Sequence, residues 1–278
     1  MKNLKSLLLP AALALLAVCS ASAQTIVGAW RFGDTTTDDS GVLVFFGNGT
    51  YFHIEDTTPG AGPSGFDGFE RGTYSWSGTN GTSFTATPIN DTNGDIGISS
   101  IFSGTTLSIS GNSFVFTDAD GLGSGPGETL IRVTGANALV GAWYVGDVTG
   151  SQATNNSGVA VFLNNGRFFL ARDLPNGDPD GADEIEHGTY LWNPGTGTFS
   201  FPNSALVDQN ANVGLYSPPL ITSFSVSGST LTGFDGGNFY LTSVNSTAIP
   251  EPSTYAALAG LGALGLAFWR RRQRVTAA

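Results

Sequence analysis

Cysteine, lysine and histidine are nearly missing from this chain of 278 residues. The single cysteine, Cys19, lies in an apolar N-terminal stretch, so the rest of the chain can form neither a disulfide nor a cysteine-based metal site. Both lysines, Lys2 and Lys5, lie at the N-terminus. Between the two chain ends there is also no long stretch with apolar residues at helical spacing. The stability of the body must therefore come from packing, with or without bound ions.

Positive charge is scarce in the body of the chain. Residues 24–249 carry five arginines and 21 Asp and Glu residues, which gives a formal net charge near −16. Nucleic acid and anionic membrane surfaces are not expected as partners, because binding to phosphate groups needs a basic surface. An acidic surface of this kind favours solubility and attracts cations.

The two histidines offer little for catalysis. A Ser–His or Cys–His pair needs a histidine as its base. Neither His53 nor His187 lies in a nucleophile-elbow motif or at zinc-ligand spacing. We expect both to be structural, either solvated or hydrogen-bonded. No catalytic residue is assigned, and the chain is predicted not to be an enzyme.

The N-terminus has the three parts of a secretory signal peptide. A basic start is followed by an apolar centre over residues 7–18 and by small residues at 21–23. This pattern predicts export by the Sec machinery and cleavage before Gln24. Lipoprotein processing at Cys19 is the alternative, but the valine before this cysteine fits that signal poorly.

The C-terminus carries an apolar segment followed by arginines. Residues 253–269 contain no charge, and their length is at the short limit of the roughly 17–25 residues that span a membrane. By the positive-inside rule, the arginines behind this segment stay cytoplasmic while the body is left outside. These arginines are Arg270, Arg271, Arg272 and Arg274. The tail is therefore predicted to anchor the protein in the cytoplasmic membrane by a transmembrane helix.

The order of these parts resembles the PEP-CTERM sorting signal of Gram-negative bacteria. Pro250, Glu251 and Pro252 form the motif, and the apolar segment and the arginines follow it. The resemblance implies recognition by an exosortase, a membrane-embedded cysteine transpeptidase or protease, and then release or attachment at the cell surface. It also implies an association with exopolysaccharide or biofilm. It implies nothing about the fold of the body, and a plain C-terminal anchor is the alternative.

The body of the chain contains an internal duplication. "IVGAWRFGD" from Ile26 matches "LVGAWYVGD" from Leu139, and "SGVLVFFGNGTYF" from Ser40 matches "SGVAVFLNNGRFF" from Ser157. Three further blocks match in the same order, at offsets between 113 and 117 residues. We therefore divide the chain into a signal peptide, two tandem β units and a sorting segment. The predicted bounds are 1–23, 24–134, 135–248 and 249–278.

Each unit has the pattern of an antiparallel β domain. Short strand-like runs alternate with turns, and Asn48-Gly49 and Asn165-Gly166 predict hairpins with type I′ turns. Seven or eight strands in each unit favour a barrel or a sandwich, and one large sheet shared by both copies is a third architecture. The Gly-x-Trp opening followed by hairpins resembles the lipocalin and streptavidin style of barrel. The predicted fold class is therefore all-β, with helices only in the signal peptide and the membrane anchor.

Four tryptophans occupy matched positions in the two copies, Trp30 with Trp143 and Trp76 with Trp192. We expect them to form the core of each unit, because large aromatic side chains dominate burial in small β domains. An aromatic surface for sugars or another ligand is the alternative.

Oxygen-bearing side chains alternate in "DTNGDIG", where Asp91, Asn93 and Asp95 surround a tight turn. Such a loop can supply several ligands to calcium. The distal glutamate of an EF-hand is missing, and an ordinary Asx turn is the alternative. The second copy, "DQNANVG", keeps Asp208 and two asparagines. Calcium is the only cofactor that the sequence indicates.

Other carboxylates lie in the acid-rich stretch 173–186 and at Glu70 and Glu186, which precede "GTY" in both copies. We predict that the stretch 173–186 is a solvated loop and that Glu70 and Glu186 are charges at the rim of a strand. A carboxylate pair for glycoside hydrolysis is the alternative.

These features predict a non-catalytic exported protein of the envelope or extracellular matrix. A barrel that binds a small apolar ligand and a secreted hydrolase of unrecognised type are the two alternatives. An enclosed apolar cavity would favour the barrel. A cleft with paired carboxylates, or a contact between a base and a nucleophile, would favour the hydrolase.

Overall fold

Short runs of β-branched and aromatic residues between glycine-containing turns form antiparallel strands throughout the body. The computed structural model describes residues 25–34, 39–56, 68–92, 97–101, 105–117, 129–146, 157–173, 184–202, 207–208, 214–216 and 220–244. They belong to one compact unit, Thr25–Ser246. The predicted signal helix and membrane helix lie outside these residues. Within them, every helix is too short or too polar to cross a membrane.

The first unit is a closed antiparallel barrel, in which each strand pairs with the next and β8 returns to β1. Its strands are β1 (Gly28–Asp34), β2 (Asp39–Phe45), β3 (Thr50–Asp56), β4 (Gly68–Trp76), β5 (Thr82–Asp91), β6 (Thr106–Ser110), β7 (Ser113–Thr117) and β8 (Thr129–Arg132). A single helical turn, α1 (Ile98–Ile101), lies between β5 and β6. Closure leaves no unpaired sheet edge. The all-β prediction is confirmed, and the first unit is a barrel rather than a sandwich.

The second unit repeats this order, but two of its strands are interrupted. Its strands are β9 (Gly141–Val145), β10 (Ser157–Phe162), β11 (Arg167–Asp173), β12 (Glu184–Thr189), β13 (Leu191–Trp192), β14 (Phe199–Ser200), β15 (Val207–Asp208), β16 (Ser223–Ser227), β17 (Thr230–Phe234) and β18 (Asn238–Ser243). The main sheet runs β15-β12-β11-β10-β9-β18-β17-β16, and β13 pairs with β14. A bridge between Thr198 and Ser223 joins this short ladder to β16. The second unit therefore follows the strand order of the first, but in the described residues its main sheet stays open between β15 and β16. We call it the second barrel because of this shared order.

Apolar side chains form three clusters, because several strands are apolar on both faces. One cluster fills the first barrel around Trp30 and Phe45, and another fills the second barrel around Trp143 and Phe162. The third, the inter-barrel core, joins the outer faces of β1–β4 to those of β9–β12. Strands β3 and β10 are accordingly buried at every residue, whereas β6 alternates between buried and more exposed residues.

The inter-barrel core consists of residues that the duplication matches one to one. Its pairs are Ala29/Ala142, Val42/Val159, Val44/Val161, Phe46/Leu163, Phe52/Phe169, Ile54/Ala171 and Phe69/Ile185. Each barrel thus presents the same patch to the other, as the two subunits of a twofold-symmetric dimer do. The two units therefore pack against each other through one shared core.

The predicted hairpins are confirmed, but their turns differ from the type I′ prediction. Phe46 N–H donates to Thr50 C=O at 2.9 Å, which leaves a loop of three residues rather than two. The Asn48 side chain accepts the Thr50 N–H at 3.0 Å and so favours the longer loop. Gly49 closes it in the left-handed region, with φ 87°, and Gly166 does the same with φ 82°.

Candidate functional site

Two polar contacts cross between the barrels at matched positions. Arg71 on β4 contacts Asp173 at the end of β11, and both side chains are fully buried. In the second copy, His187 on β12 takes the place of Arg71, and its Nδ1 lies 3.2 Å from Oδ2 of Asp56 at the end of β3. Asp56 and Asp173 are themselves matched positions. The duplication therefore produced two related polar contacts across one interface.

Neighbouring side chains complete these contacts differently in the two copies. Asn90 Nδ2 donates to Asp173 at 2.9 Å, whereas Arg167 Nη2 donates to Asp56 at 2.6 Å. The Arg71 guanidinium lies 6.0 Å from the ring of Phe52, and the His187 ring stacks on the matched Phe169 at 5.9 Å. Buried charges of this kind are tolerated only when they are paired and hydrogen-bonded. We conclude that they fix the docking of the barrels.

The prediction of a solvated loop over 173–186 is wrong for three of its carboxylates. Asp173, Glu184 and Glu186 are all fully buried. Asp178, Asp180 and Asp183 lie outside the described residues. The sequence shows the density of acids in this stretch, but only the packing of the two barrels shows that several of them face inward.

Glu70 and Glu186 are not rim charges, because both are fully buried inside their barrels. Glu70 accepts hydrogen bonds from the Tyr51 hydroxyl and from Ser99, whose N–H and hydroxyl donate at 3.1 and 2.6 Å. Burial raises the pKa of Glu70, although the bonds from Ser99 and Tyr51 act in the opposite direction. Glu186 accepts the Leu215 N–H at 2.7 Å. Each glutamate therefore binds the loop that follows the fifth strand of its own barrel.

This role of the glutamates explains the last glycine of "DTNGDIG" and "DQNANVG". A Cβ at Gly97 would lie 2.1 Å from Glu70 Oε2. A Cβ at Gly214 would lie 2.2 Å from Glu184 Oε1 and 2.8 Å from Glu186 Oε2. Only glycine leaves room for the carboxylates. The repeated motif thus has a structural reason that the sequence alone did not reveal.

Calcium binding at the first of these loops stays a prediction. Asp91 ends β5 and lies opposite Glu70 in the β4–β5 ladder, while Asn93 and Asp95 lie outside the described residues. Among the residues that the structure does describe, no three His, Cys, Asp or Glu side chains are grouped to hold a metal.

His53 is buried and lies beside Phe32, with the two ring centroids 5.3 Å apart. Burial lowers the pKa of His53 to about 4, so the imidazole is neutral near pH 7. Within the described part of the chain, its Nδ1 has no hydrogen-bond partner. Together with the contact between His187 and Asp56, this places both histidines inside the structure rather than in solvent.

The matched tryptophans lie on equivalent strands. Trp30 and Trp143 are buried, and the indole N–H of each donates to the carbonyl four residues earlier, at 2.7 and 2.8 Å. Trp76 and Trp192 are half-buried and pack at the edges of the two interior clusters.

Side chains fill the interior of the first barrel, where Trp30, Phe45 and Phe114 make edge-on and tilted ring contacts at 4.8 to 6.1 Å. In the second barrel a pocket of about 220 Å³ opens beside Val145 and Leu170. The matched positions in the first barrel hold Phe32, which is larger than Val145, and His53 in place of Leu170. Ligand pockets usually have volumes of about 300–1,000 Å³, so the described interiors offer little room for a small apolar ligand.

A second opening, here named the arginine cleft, lies between the barrels on their outer side. It has a volume of about 420 Å³. Its lining residues are Arg31, Ile131, Arg132, Val133, Thr134, Leu163, Asn164 and Asn165. Two of the five arginines of residues 24–249 therefore line one cleft on an otherwise acidic body. The scarcity of arginine was visible in the sequence, but this convergence was not.

The comparisons with known proteins concern the C-terminal tail. The family of the PEP-CTERM protein-sorting motif matches residues 248–272. This range contains Pro250, Glu251 and Pro252 and the first three arginines of the cluster, all outside the described residues. The body has no such counterpart, since the chain matches no curated protein and no solved structure.

Proposed function

We propose that this chain, whose tail matches the PEP-CTERM protein-sorting motif, is exported and sorted by an exosortase and that its double barrel is a non-catalytic component of the extracellular matrix. In this proposal the protein leaves the membrane after processing near Pro250, Glu251 and Pro252 and then associates with exopolysaccharide. The sorting motif carries the proposal, because it directs the body to the compartment where such polymers lie.

The geometry of the body supports a binding role better than a catalytic one. The buried glutamates hold loops, the inter-barrel aspartates are bound by basic side chains, and His53 is neutral inside the first barrel. A shared core makes the two barrels parts of one compact unit. Such a scaffold is suited to holding a polymer on its surface.

The test uses the full chain in a host that has an exosortase. Replacing Pro250, Glu251 and Pro252 by alanine should leave an uncleaved precursor in the membrane fraction, as measured by cell fractionation and intact-mass analysis. Ser253→Ala with Thr254→Ala is the matched control, since it alters the neighbouring residues and spares the motif.

The matrix role is tested on the wild-type protein from the same cells. It should co-sediment with the extracellular polymer and be released when that polymer is digested by glycosidases. If it stays in the soluble medium with or without the polymer, the proposed matrix role is wrong, whatever the outcome of the processing test.

A further inference from the structure

The arginine cleft is a place where the two copies differ sharply. Arg31 on β1 is matched by Tyr144 on β9, since both lie opposite matched valines of the next strand. Arg132 on β8 is matched by Ser243 on β18, since each lies opposite the first tryptophan of its barrel. The fold therefore does not require arginine at either position.

The matched location on the other side of the inter-barrel core is occupied by aromatic side chains. There Tyr144 packs edge-on against Phe46, with the ring centroids 5.5 Å apart. In the arginine cleft the corresponding residues are Arg31 and the smaller Leu163. The cleft exists because these two positions carry different side chains, and not because the barrels cannot meet there.

The positive charges of the cleft are not neutralised by any described carboxylate. Each ion pair of the described residues involves Arg71, Arg167 or His187 and not the cleft arginines. Arg132 donates to the backbone carbonyls of Thr25 and Val27, at 2.6 and 2.9 Å, and both acceptors are uncharged.

The same contacts hold Arg132 in place. Its guanidinium lies 4.0 Å from the ring centroid of Trp30, in cation–π geometry. Because Arg132 pairs with Trp30 across β1 and β8, its guanidinium lies on the inner face with that ring. Arg31 lies on the outer face and is therefore the cation that the cleft offers to a ligand, and the described residues provide no ion-pair partner for it.

We propose that the arginine cleft binds a carboxylate-bearing saccharide. Guanidinium groups bind carboxylates by paired hydrogen bonds, and the exposed amides of Asn164 and Asn165 can donate to and accept from hydroxyl groups. Ile131, Val133 and Leu163 supply apolar surface for the C–H face of a sugar ring. The carboxylate specificity follows from the cleft alone, whereas the choice of a saccharide rests on the proposed function.

The experiment titrates the full chain with an oligogalacturonate trimer and with the same trimer after reduction of its carboxyl groups. Calorimetry should detect binding of the acidic trimer, and the reduced trimer should bind at least about tenfold more weakly, because charged hydrogen bonds are lost. Arg31→Gln should cause a similar loss. Arg31→Tyr, which copies the residue of the second barrel, should abolish binding.

Arg172→Gln is the control, because it removes the same charge from a side chain at the pocket of the second barrel. It should leave the affinity within about twofold, and thermal melts should show that all variants fold. An equal loss for Arg172→Gln, or equal binding of the reduced trimer, would overturn the site. If polyglutamate bound as tightly as the trimer, the cleft would bind anions without selecting a saccharide, and the saccharide part of the proposal would be wrong.

The two proposals fail separately. Trimer binding by a protein that does not associate with the matrix contradicts the proposed function and supports the cleft. If the protein does not bind the trimer, and Arg31→Gln associates with the matrix as the wild type does, the cleft proposal is wrong and the proposed function is supported.

Discussion

The two barrels share their strand order and their inter-barrel patch, but they differ in the polar and bulky groups at corresponding positions. Arg71 in the first barrel corresponds to His187 in the second, and His53 corresponds to Leu170. The fourth and fifth strands are continuous in the first barrel, with 9 and 10 residues, and each is broken into two short strands in the second. The interior aromatic residues, in contrast, are largely matched.

The difference shows which contacts the duplicated fold depends on. Residues that pack on both sides of a shared core must fit their matched partners, so all seven pairs of the inter-barrel core stay apolar and four of them are identical. A buried aspartate needs a hydrogen-bond donor. Asp173 has an arginine, Arg71, in this role, whereas Asp56 has a histidine together with an arginine. Each difference between the barrels is therefore a natural substitution whose effect can be measured.

The largest effect is expected at the two matched polar contacts between the barrels. Arg71→Met leaves Asp173 buried with only a neutral neighbour, Asn90, among its described partners, and should destabilise the protein by about 3–5 kcal/mol. His187→Leu should cost clearly less, because Arg167 still binds Asp56. Urea unfolding of the full chain, with unchanged m-values, measures both effects. Equal losses would show that the two pairs are energetically equivalent despite their chemistry.

A smaller effect is expected when the buried histidine of the first barrel is replaced by its counterpart. The pKa of His53 is lowered to about 4 in the folded state, below its ordinary value of 6.5. The unfolded chain therefore binds the proton first, and stability is lost as the pH falls from about 6.5 to about 4, by up to about 3 kcal/mol. His53→Leu, which copies Leu170, should remove this loss. The measurement is the difference in unfolding free energy between wild type and variant at pH 7 and pH 4.5, and a constant difference would contradict the assignment.

The smallest effect is expected at two matched tyrosines, where the two barrels should lose the same stability. The hydroxyls of Tyr74 and Tyr190 donate to the carbonyls of Phe46 and Leu163 at 2.8 and 2.9 Å. Burial raises the pKa of each tyrosine to about 12, so both hydroxyls keep their proton. Each Tyr→Phe variant should cost about 1 kcal/mol in thermal or urea unfolding.

Tyr240→Phe is the control for this test, because Tyr240 is 61% exposed and should lose almost nothing. A large difference between the two buried tyrosines would mean that the matched hairpins are not equivalent in energy.

Much of the fold could be predicted from patterns that repeat along the chain. The five matched blocks predicted two similar β units, and the Asn-Gly pairs predicted their hairpins. The turns were one residue longer than expected because the Asn48 side chain hydrogen-bonds Thr50. The continuous apolar runs "GVLVFF" and "GVAVFL" lie in strands that are buried on both faces, whereas the strand with "LSIS" alternates between buried and more exposed residues.

The candidate site was much less predictable. The rim-charge and solvated-loop interpretations failed for Glu70, Glu186 and Asp173 because the partners of these groups lie far away in sequence: Arg71 meets Asp173 across 102 residues. The arginine cleft likewise combines β1, β8 and a turn of the second barrel. The tail was more predictable than the cleft, because its sorting motif is a short linear segment that can be identified without knowing the fold.

The sequence by itself determined that the tail carries a protein-sorting motif, that the body is duplicated, and that its strands are antiparallel. These properties depend on local order: a motif, a repeat and a two-residue alternation of side chains. Only the tertiary structure decided that the first repeat closes into a barrel, that the two repeats share one core, and that charges distant in sequence meet in buried pairs. Those outcomes depend on which faces pack together, and burial changes the energy of a charge far more than its position in the chain does.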